Sequence, residues 1–300
     1  MGDSIHEQHL AEQFEQFRGL LFSIAYRMTG SASDAEDLVQ ETYLRYQASD
    51  TAQIISLKAF LTTIITRLAL DYLKSARVTR EEYVGTWLPE PILTSEDGGL
   101  PLARLEQQEA LSLAFLRLLE SLSPPERAVF ILHDVFGYPF DEIGTMVEKS
   151  PAACRQIFHR ARQALQDKRL RFQPEPQRQR QLLQSFLAAS QAGNMATLAS
   201  LLAEDAISWA DGGGKVQASL KPIYGRPAVA RFWLAVAGKI PRPLTFTPAD
   251  INGSPAMLVW DGASLIGVLG LTQSAGSTGE IQEIYAVLNP EKLAYLENQL

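Results

Sequence analysis

The spacing of apolar residues along the chain changes once, and that change limits the architectures open to it. From about residue 9 to residue 80 apolar side chains recur three and four apart, with no proline and only Gly19 and Gly30 as interruptions. Helical spacing returns over 105–171. Beyond the polar stretch 173–177, which carries Pro174 and Pro176, come two more helical runs. The apolar residues then fall into short runs at 206–210, 216–223, 244–251, 256–260, 265–272 and 281–288, separated by Asp-Gly and Gly-rich turns. Such a chain must build helical bodies first and an α+β body after them. At 300 residues, two or three domains of about 150 residues each are expected.

The apolar fraction of 46% and charged fraction of 20% belong to an ordinary globular chain. Cys154 is the single cysteine, which excludes an internal disulfide and a multi-cysteine zinc or iron–sulfur site. Residues 1–20 mix charged and apolar positions without a signal-peptide core. No run reaches the ~18 apolar residues of a membrane helix. A cytoplasmic protein with no membrane partner, no metal and no cofactor is therefore expected. The net charge of −7 would oppose nucleic-acid binding if it were evenly spread, but it is not. Lys149, Arg155, Arg160, Arg162, Lys168, Arg169 and Arg171 face Asp167 alone over 149–171, a local phosphate-binding footprint.

Three helical segments carry the functional signals. In the first, Ser33 and Glu36 have capping-box spacing, and Ala35, Leu38, Val39, Thr42, Tyr43 and Tyr46 form a buried stripe. Asp34, Asp37, Gln40 and Glu41 lie outside that stripe. They form an acidic face suited to a basic partner or simply to water. In the second, over 57–76, Phe60, Leu61, Ile64, Ile65, Leu68, Leu70 and Leu73 form the core side. Arg67, Lys74, Arg77 and Arg80 place charge where it suits both the helix dipole and a phosphate backbone. The third runs from a Ser123-Pro124 start through a short helix over 138–147 and a tight Glu148-Lys149 connection to a second Ser-Pro start at Ser150. Ala153, Cys154, Ile157, Phe158, Ala161 and Leu165 point inward, and Arg155, Gln156, His159, Arg160, Arg162 and Gln163 outward. This is the helix-turn-helix plan, with Gly144 and Ala153 small enough for close helix approach.

With these segments in view, the chain resembles the extracytoplasmic-function sigma factors. The match to their polymerase- and minus-ten-binding domain runs through 34–43 and 59–71, and to their minus-thirty-five-binding domain through 122–126 and 150–162. The linker 83–91, with Trp87, the loop Asp211-Gly212-Gly213-Gly214-Lys215 and the tail Asn289-Pro290-Glu291-Lys292-Leu293 resemble the SigJ-like subgroup, which has a fused SnoaL-like C-terminal domain. The resemblance implies two all-α sigma domains, at 9–82 and 105–172, joined by a linker at 83–104. An α+β SnoaL-like cone with a curved antiparallel sheet follows at 178–300. It also implies that Asp34, Asp37, Gln40 and Glu41 dock on core RNA polymerase. Arg67, Lys74, Arg77 and Arg80 would engage the minus-ten element, and Ser150, Arg155, Gln156, His159, Arg160 and Arg162 the minus-thirty-five element. Trp87, Asp211, Gly212, Gly213, Gly214, Lys215, Asn289, Pro290, Lys292 and Leu293 would make regulatory contacts between the C-terminal domain and the linker or sigma domains. Lys74, where Arg is common, and Glu148, where Gly is frequent, depart from the pattern.

No catalytic role is expected. The chain has no His after His159; Asp211, Asp250, Asp261 and Glu283 remain, but the three Asp adjoin turns where Asp serves structure. An unidentified small-molecule ligand is compatible with Trp209, Tyr224, Trp233, Trp260 and Tyr285, which serve a core equally well. The competing function is a one-component helix-turn-helix regulator with a ligand-sensing C-terminal domain, which would have no use for the acidic helix.

Overall fold

The computed structural model describes residues 2–94, 111–169, 176–240, 243–274 and 279–300, with the side chains of 2–7, 52, 76–81 and 166–169 outside the description. The linker residues 95–104 and the start of the second helical segment, 105–110, fall outside it too. The described chain forms two compact units. Met1–Glu81 and Leu116–Gln166 make the first; Glu82–Gly99, Leu111–Phe115 and Asp167–Leu300 make the second.

The first unit is all-helical. It contains α1 (Gly2–Thr29), α2 (Ala32–Gln47), α3 (Leu57–Glu81), most of α4 (Leu113–Leu119) and α5 (Pro124–Phe130). A π-helical turn at Ile131–Val135 extends α5, and α6 (Phe140–Val147) and α7 (Pro151–Arg169) complete the unit. Gly30 (φ 71) breaks α1 from α2. The cap of α2 is Ser31, whose side chain accepts from Asp34 N–H, and not the expected Ser33. Leu61, Ile65 and Leu73 of α3 are buried as their spacing predicts, but so are Thr62, Thr66 and Ala69. The buried face of α3 is therefore wider than its apolar residues alone predict. Arg27 is also buried, hydrogen-bonded to Ser23, and desolvation lowers its pKa to about 10. It remains cationic at neutral pH.

In the second unit, α8 (Pro176–Gln191) and α9 (Met195–Leu201) precede β1 (Leu202–Asp211) and β2 (Ile223–Tyr224). Next come α10 (Arg226–Lys239), β3 (Thr245–Ile251), β4 (Ser254–Asp261), β5 (Ser264–Gln273), β6 (Ile281–Val287) and α11 (Pro290–Glu297). This is the α+β SnoaL-like architecture that the resemblance implies. The sheet order is β2-β1-β6-β5-β4-β3. One feature corrects the expected antiparallel sheet: β1 runs parallel to β6, so the sheet is mixed. Hairpin periodicity reveals the β3–β6 meander but cannot report the direction of a strand some seventy residues away that joins its edge. The expected strand 216–223 shrinks to Ile223–Tyr224, because Gly213 and Gly214 turn the chain with positive φ and Val216 and Leu220 stay exposed.

Period-two alternation buries both faces of the sheet. Met257, Leu269, Leu271, Ile284 and Ala286 face a core closed by Leu182, Phe186, Leu198, Val229 and Ala230 from the helices. Ala256, Leu258, Val268, Tyr285 and Val287 face a second core closed by Leu88, Leu113, Ala114, Leu293 and Leu296. Linker residues thus cover one face of the sheet. Asn252, buried at φ 54, ties them down: its Oδ1 accepts from Ile92 N–H and its Nδ2 donates to the Leu111 carbonyl. Replacing Asn252 with Ala leaves both backbone groups unpaired and keeps the left-handed strain. The expected loss is about 2–4 kcal/mol of stability, read by urea unfolding followed by tryptophan fluorescence.

Candidate nucleic-acid interface

Local chemistry sets the helix-turn-helix. The Glu126 carboxylate accepts from both Ser123 N–H (3.1 Å) and Ser123 Oγ (2.6 Å), fixing the start of α5. Helix α6 ends at Glu148, which adopts the left-handed conformation (φ 56, ψ 48) with its N–H on the Gly144 carbonyl. A Cβ on Gly144 would sit 2.6 Å from the Lys149 carbonyl oxygen. Gly144 is therefore required by the turn, not by Ala153. Ser150 Oγ accepts from Ala153 N–H (3.2 Å) and opens α7. Cys154, Ile157, Phe158, Ala161 and Leu165 are buried, and Phe158 stacks on Phe130 at 6.0 Å. Burial pushes the Cys154 thiol up, away from reactive thiolate chemistry. Arg155, Gln156, His159, Arg160 and Arg162 are exposed along the opposite face. Arg155 lies over the Phe140 ring (5.9 Å), and Arg160 approaches Glu126 at 3.8 Å.

The acidic helix and α3 divide into engaged and open residues. On α2, Asp37 and Gln40 are exposed, whereas Asp34 accepts from Tyr72 OH (2.6 Å) and Glu41 pairs with Arg45 (2.9 Å). On α3, Lys74 pairs with Asp71 at 2.7 Å, and the side chains of Arg77 and Arg80 lie outside the described residues. Arg67 donates to the carbonyls of Thr145 (3.0 Å) and Met146 (3.3 Å) and pairs with Glu148 at 3.3 Å. A residue expected to face the minus-ten element thus meets the turn of the helix-turn-helix.

In the second unit the predicted regulatory residues converge on Asp211. Its carboxylate is fully buried and accepts from Tyr83 OH (2.5 Å), Leu88 N–H (2.8 Å), Gly213 N–H (3.0 Å) and Lys292 Nζ (2.7 Å). Lys292 also donates to the Leu88 carbonyl, with its ammonium 4.0 Å from the Trp87 ring and 4.8 Å from Tyr83. Asn289 donates to Tyr83 OH (3.0 Å) and caps α11, whose first residue is Pro290. A Cβ on Gly213 would fall 2.2 Å from Asn289 Nδ2, and one on Gly214 would fall 3.0 Å from Val84. Gly212 is just as confined, with Val216 O 2.5 Å away. Lys215 pairs with Glu291 on the surface, and Leu293 enters the sheet core. Trp209 and Tyr285 are buried in that core, Trp260 packs against it, Trp233 packs on the helical core, and Tyr224 is exposed. Tyr83 is the member that sequence reasoning passed over.

Residues 13–79 match the sigma-70 region 2 family and residues 112–165 the sigma-70 region 4 family. ECF RNA polymerase sigma factor SigJ of Mycobacterium tuberculosis is 41% identical over 226 residues, spanning 75% of this chain and 72% of the relative. The chain belongs to the ECF RNA polymerase sigma factors. The crystal structure of M. tuberculosis SigJ matches this sigma factor with a TM-score of 0.73 at 32% identity, over 95% of this chain and 98% of that one. A second M. tuberculosis relative, "Probable ECF RNA polymerase sigma factor SigI", is 31% identical over 290 residues, 94% of each chain. Membership in the family displaces the one-component regulator. Among the described residues of the sigma factor, no helix is long and apolar enough to cross a membrane, and no cluster of metal-ligating side chains occurs.

Gly144→Ala is expected to force the Lys149 carbonyl aside, destabilise the turn by about 1–3 kcal/mol, and weaken binding to a promoter duplex in fluorescence anisotropy. Desolvation and the Asp211 carboxylate hold the Tyr83 hydroxyl well above its usual range. Its folded pKa exceeds its unfolded value, so this contribution to stability is complete below about pH 10 and is lost as pH rises further. Unfolding titrations from about pH 8 to about pH 11 are expected to show that decline, and Tyr83→Phe is expected to flatten it.

Proposed function

We propose that the acidic face of α2, with Asp37 and Gln40 outermost and Asp34 and Glu41 beside them, docks this sigma factor on core RNA polymerase. Helix α7 reads the minus-thirty-five element in the major groove. There Arg155, Arg160 and Arg162 have the geometry for guanine edges and phosphates, Gln156 for adenine, and Ser150 and His159 for the backbone. Arg67, Lys74, Arg77 and Arg80 of α3 serve the minus-ten strand. The holoenzyme then initiates transcription at promoters carrying both elements. The observation that carries this reading is the exposed basic and amide face of α7 on a capped helix-turn-helix, together with region 2 and region 4 in one chain.

The C-terminal domain modulates initiation by holding the linker. Asp211 and Lys292 grip Tyr83, Trp87 and Leu88, the segment that follows α3, so the path of the chain out of region 2 depends on this contact. Because the pair is buried, removing one partner strands a charge, at a cost of about 3–5 kcal/mol.

The test is promoter-dependent transcription with core polymerase, comparing the full chain, a chain ending near Phe172, and full-length Lys292→Met. Specific transcripts from the full chain or the truncated one are expected. Lys292→Met should shift output toward that of the truncated chain. Transcripts independent of promoter sequence, or none from any form with folded protein, would overturn the reading. Asp37→Arg should lower holoenzyme assembly without changing the fold seen by circular dichroism.

A further inference from the structure

Charge is spread unevenly through the second unit. Residues 212–249 hold six of the chain's 27 basic residues, Lys215, Lys221, Arg226, Arg231, Lys239 and Arg242, and none of its 34 acidic ones. Arg242 lies outside the described residues. Two of the others are neutralised from elsewhere in the unit, Lys215 by Glu291 (2.9 Å) and Arg226 by Glu280 (3.2 Å). Lys221, Arg231 and Lys239 are exposed, and no described acidic side chain pairs with them. Helix α10 gathers this charge on one side. Its exposed residues are Pro227, Arg231, Ala235, Gly238 and Lys239, whose spacing makes a single outer stripe. The opposite side carries Val229 and Ala230 into the core, where Trp233 Nε1 donates to Ser208 Oγ (3.1 Å). Helix stability does not account for the stripe. An acid in the first turn would favour the dipole, and none is there. Lys239 suits the last turn, but Arg231 sits mid-helix with neither a dipole nor an ion pair to justify it. Gly238 weakens the helix, yet a Cβ there would meet nothing within 4 Å, so no internal contact calls for glycine.

We infer that the outer face of α10 is a further DNA-binding surface, which holds the phosphate backbone of a duplex and reads no bases. Charge complementarity selects the partner: a solvated face ordinarily mixes both signs, whereas this one carries cations alone. Arg231 and Lys239 are two turns apart, about 12 Å along the axis. That length matches roughly three to four phosphates of one strand at about 3.4 Å each. Between them Ala235 and Gly238 add almost no bulk, so the helix can lie close against a polyanion. Neither residue offers a hydrogen-bonding side chain to a base edge, which makes the contact one of position and not of sequence. Lys221, just ahead of β2, adds to the local positive field. A bilayer fits less well. An interfacial helix sinks a broad apolar face into lipid, and the apolar side of α10 is already turned into the core. The surface lies wholly within the C-terminal domain, so it is separate from α7 and works whatever sequence α7 reads.

The experiment measures, by fluorescence anisotropy, binding of the full-length chain to two duplexes, one with the minus-thirty-five element and one with it scrambled. The double variant Arg231→Gln, Lys239→Gln is expected to lose about 10-fold on both duplexes at about 0.1 M salt, leaving the ratio between them unchanged. Its plot of log affinity against log salt should be shallower by about 2, one for each phosphate contact removed. Ala263→Glu with Leu300→Glu makes the same change in net charge at exposed positions elsewhere in the unit and is expected to stay within about 2-fold of native. In the holoenzyme on promoter DNA, a photo-crosslinking residue in place of Ala235 is expected to label DNA. Equal losses from the two double variants would reduce the effect to bulk charge and overturn the surface. So would a crosslink to a polymerase subunit in place of DNA, or a loss seen on phosphatidylglycerol vesicles while both duplexes bind as before. Native protein that fails to tell the two duplexes apart would instead strike the reading of α7, so the two failures are distinguishable.

Discussion

A fully buried carboxylate organises the second unit. Asp211 ends β1 in a place without water, and an unpaired charge there would be prohibitive. Four donors satisfy it: Tyr83 and Leu88 from the linker, Gly213 from the loop that follows, and Lys292 from the last helix. Its own backbone carbonyl accepts from Leu288 and Asn289 N–H, which fixes the exit of β6. Remove the carboxylate and the linker, the Gly-rich loop and α11 lose their common anchor together. The three glycines are a consequence of that convergence, because side chains at Gly212, Gly213 and Gly214 would occupy space already held by Val216, Asn289 and Val84.

The two faces of the sheet show how the same constraint ties residues outside the α+β domain into its core. One face is covered by helices of its own domain. The other is covered by Leu88, Leu113 and Ala114, residues that sequence assigns to the linker and to the second helical segment. Apolar burial supplies most of that attachment, while Asn252 and Asp211 supply its register by pairing with linker backbone groups. The described linker residues, through Leu88 and Ile92, are therefore an integral part of the C-terminal unit. That is a physical reason for Trp87, Leu88 and Ile92 to occur in a stretch whose prolines and glycines otherwise read as a tether.

Much of this was legible beforehand, for definable reasons. The helix-turn-helix was readable because Ser-Pro starts, a short apolar run and a basic outer face are local signals, and the burial of Cys154, Ile157, Phe158, Ala161 and Leu165 follows their spacing. The acidic helix was located correctly, although its cap moved from Ser33 to Ser31, a shift within the usual uncertainty of helix ends. The motif residues Asp211, Lys292 and Trp87 were singled out by resemblance. Their convergence required the fold, since they are separated by more than eighty residues and no local rule brings them together.

The sequence by itself determined most of the elements: helices to within a few residues of their ends, the strands apart from the expected 216–223, which helix face is basic, and the order of sigma regions and α+β domain. Helical and strand periodicities and capping residues act within a few positions, so a linear reading recovers them. The tertiary structure decided what depends on distant pairing. It set the parallel β1–β6 contact, buried Thr62 and Thr66, engaged Arg67 with the turn at Glu148, and placed Tyr83 on Asp211. Those outcomes follow from which surfaces meet once the chain is compact, and spacing along the chain carries no record of that.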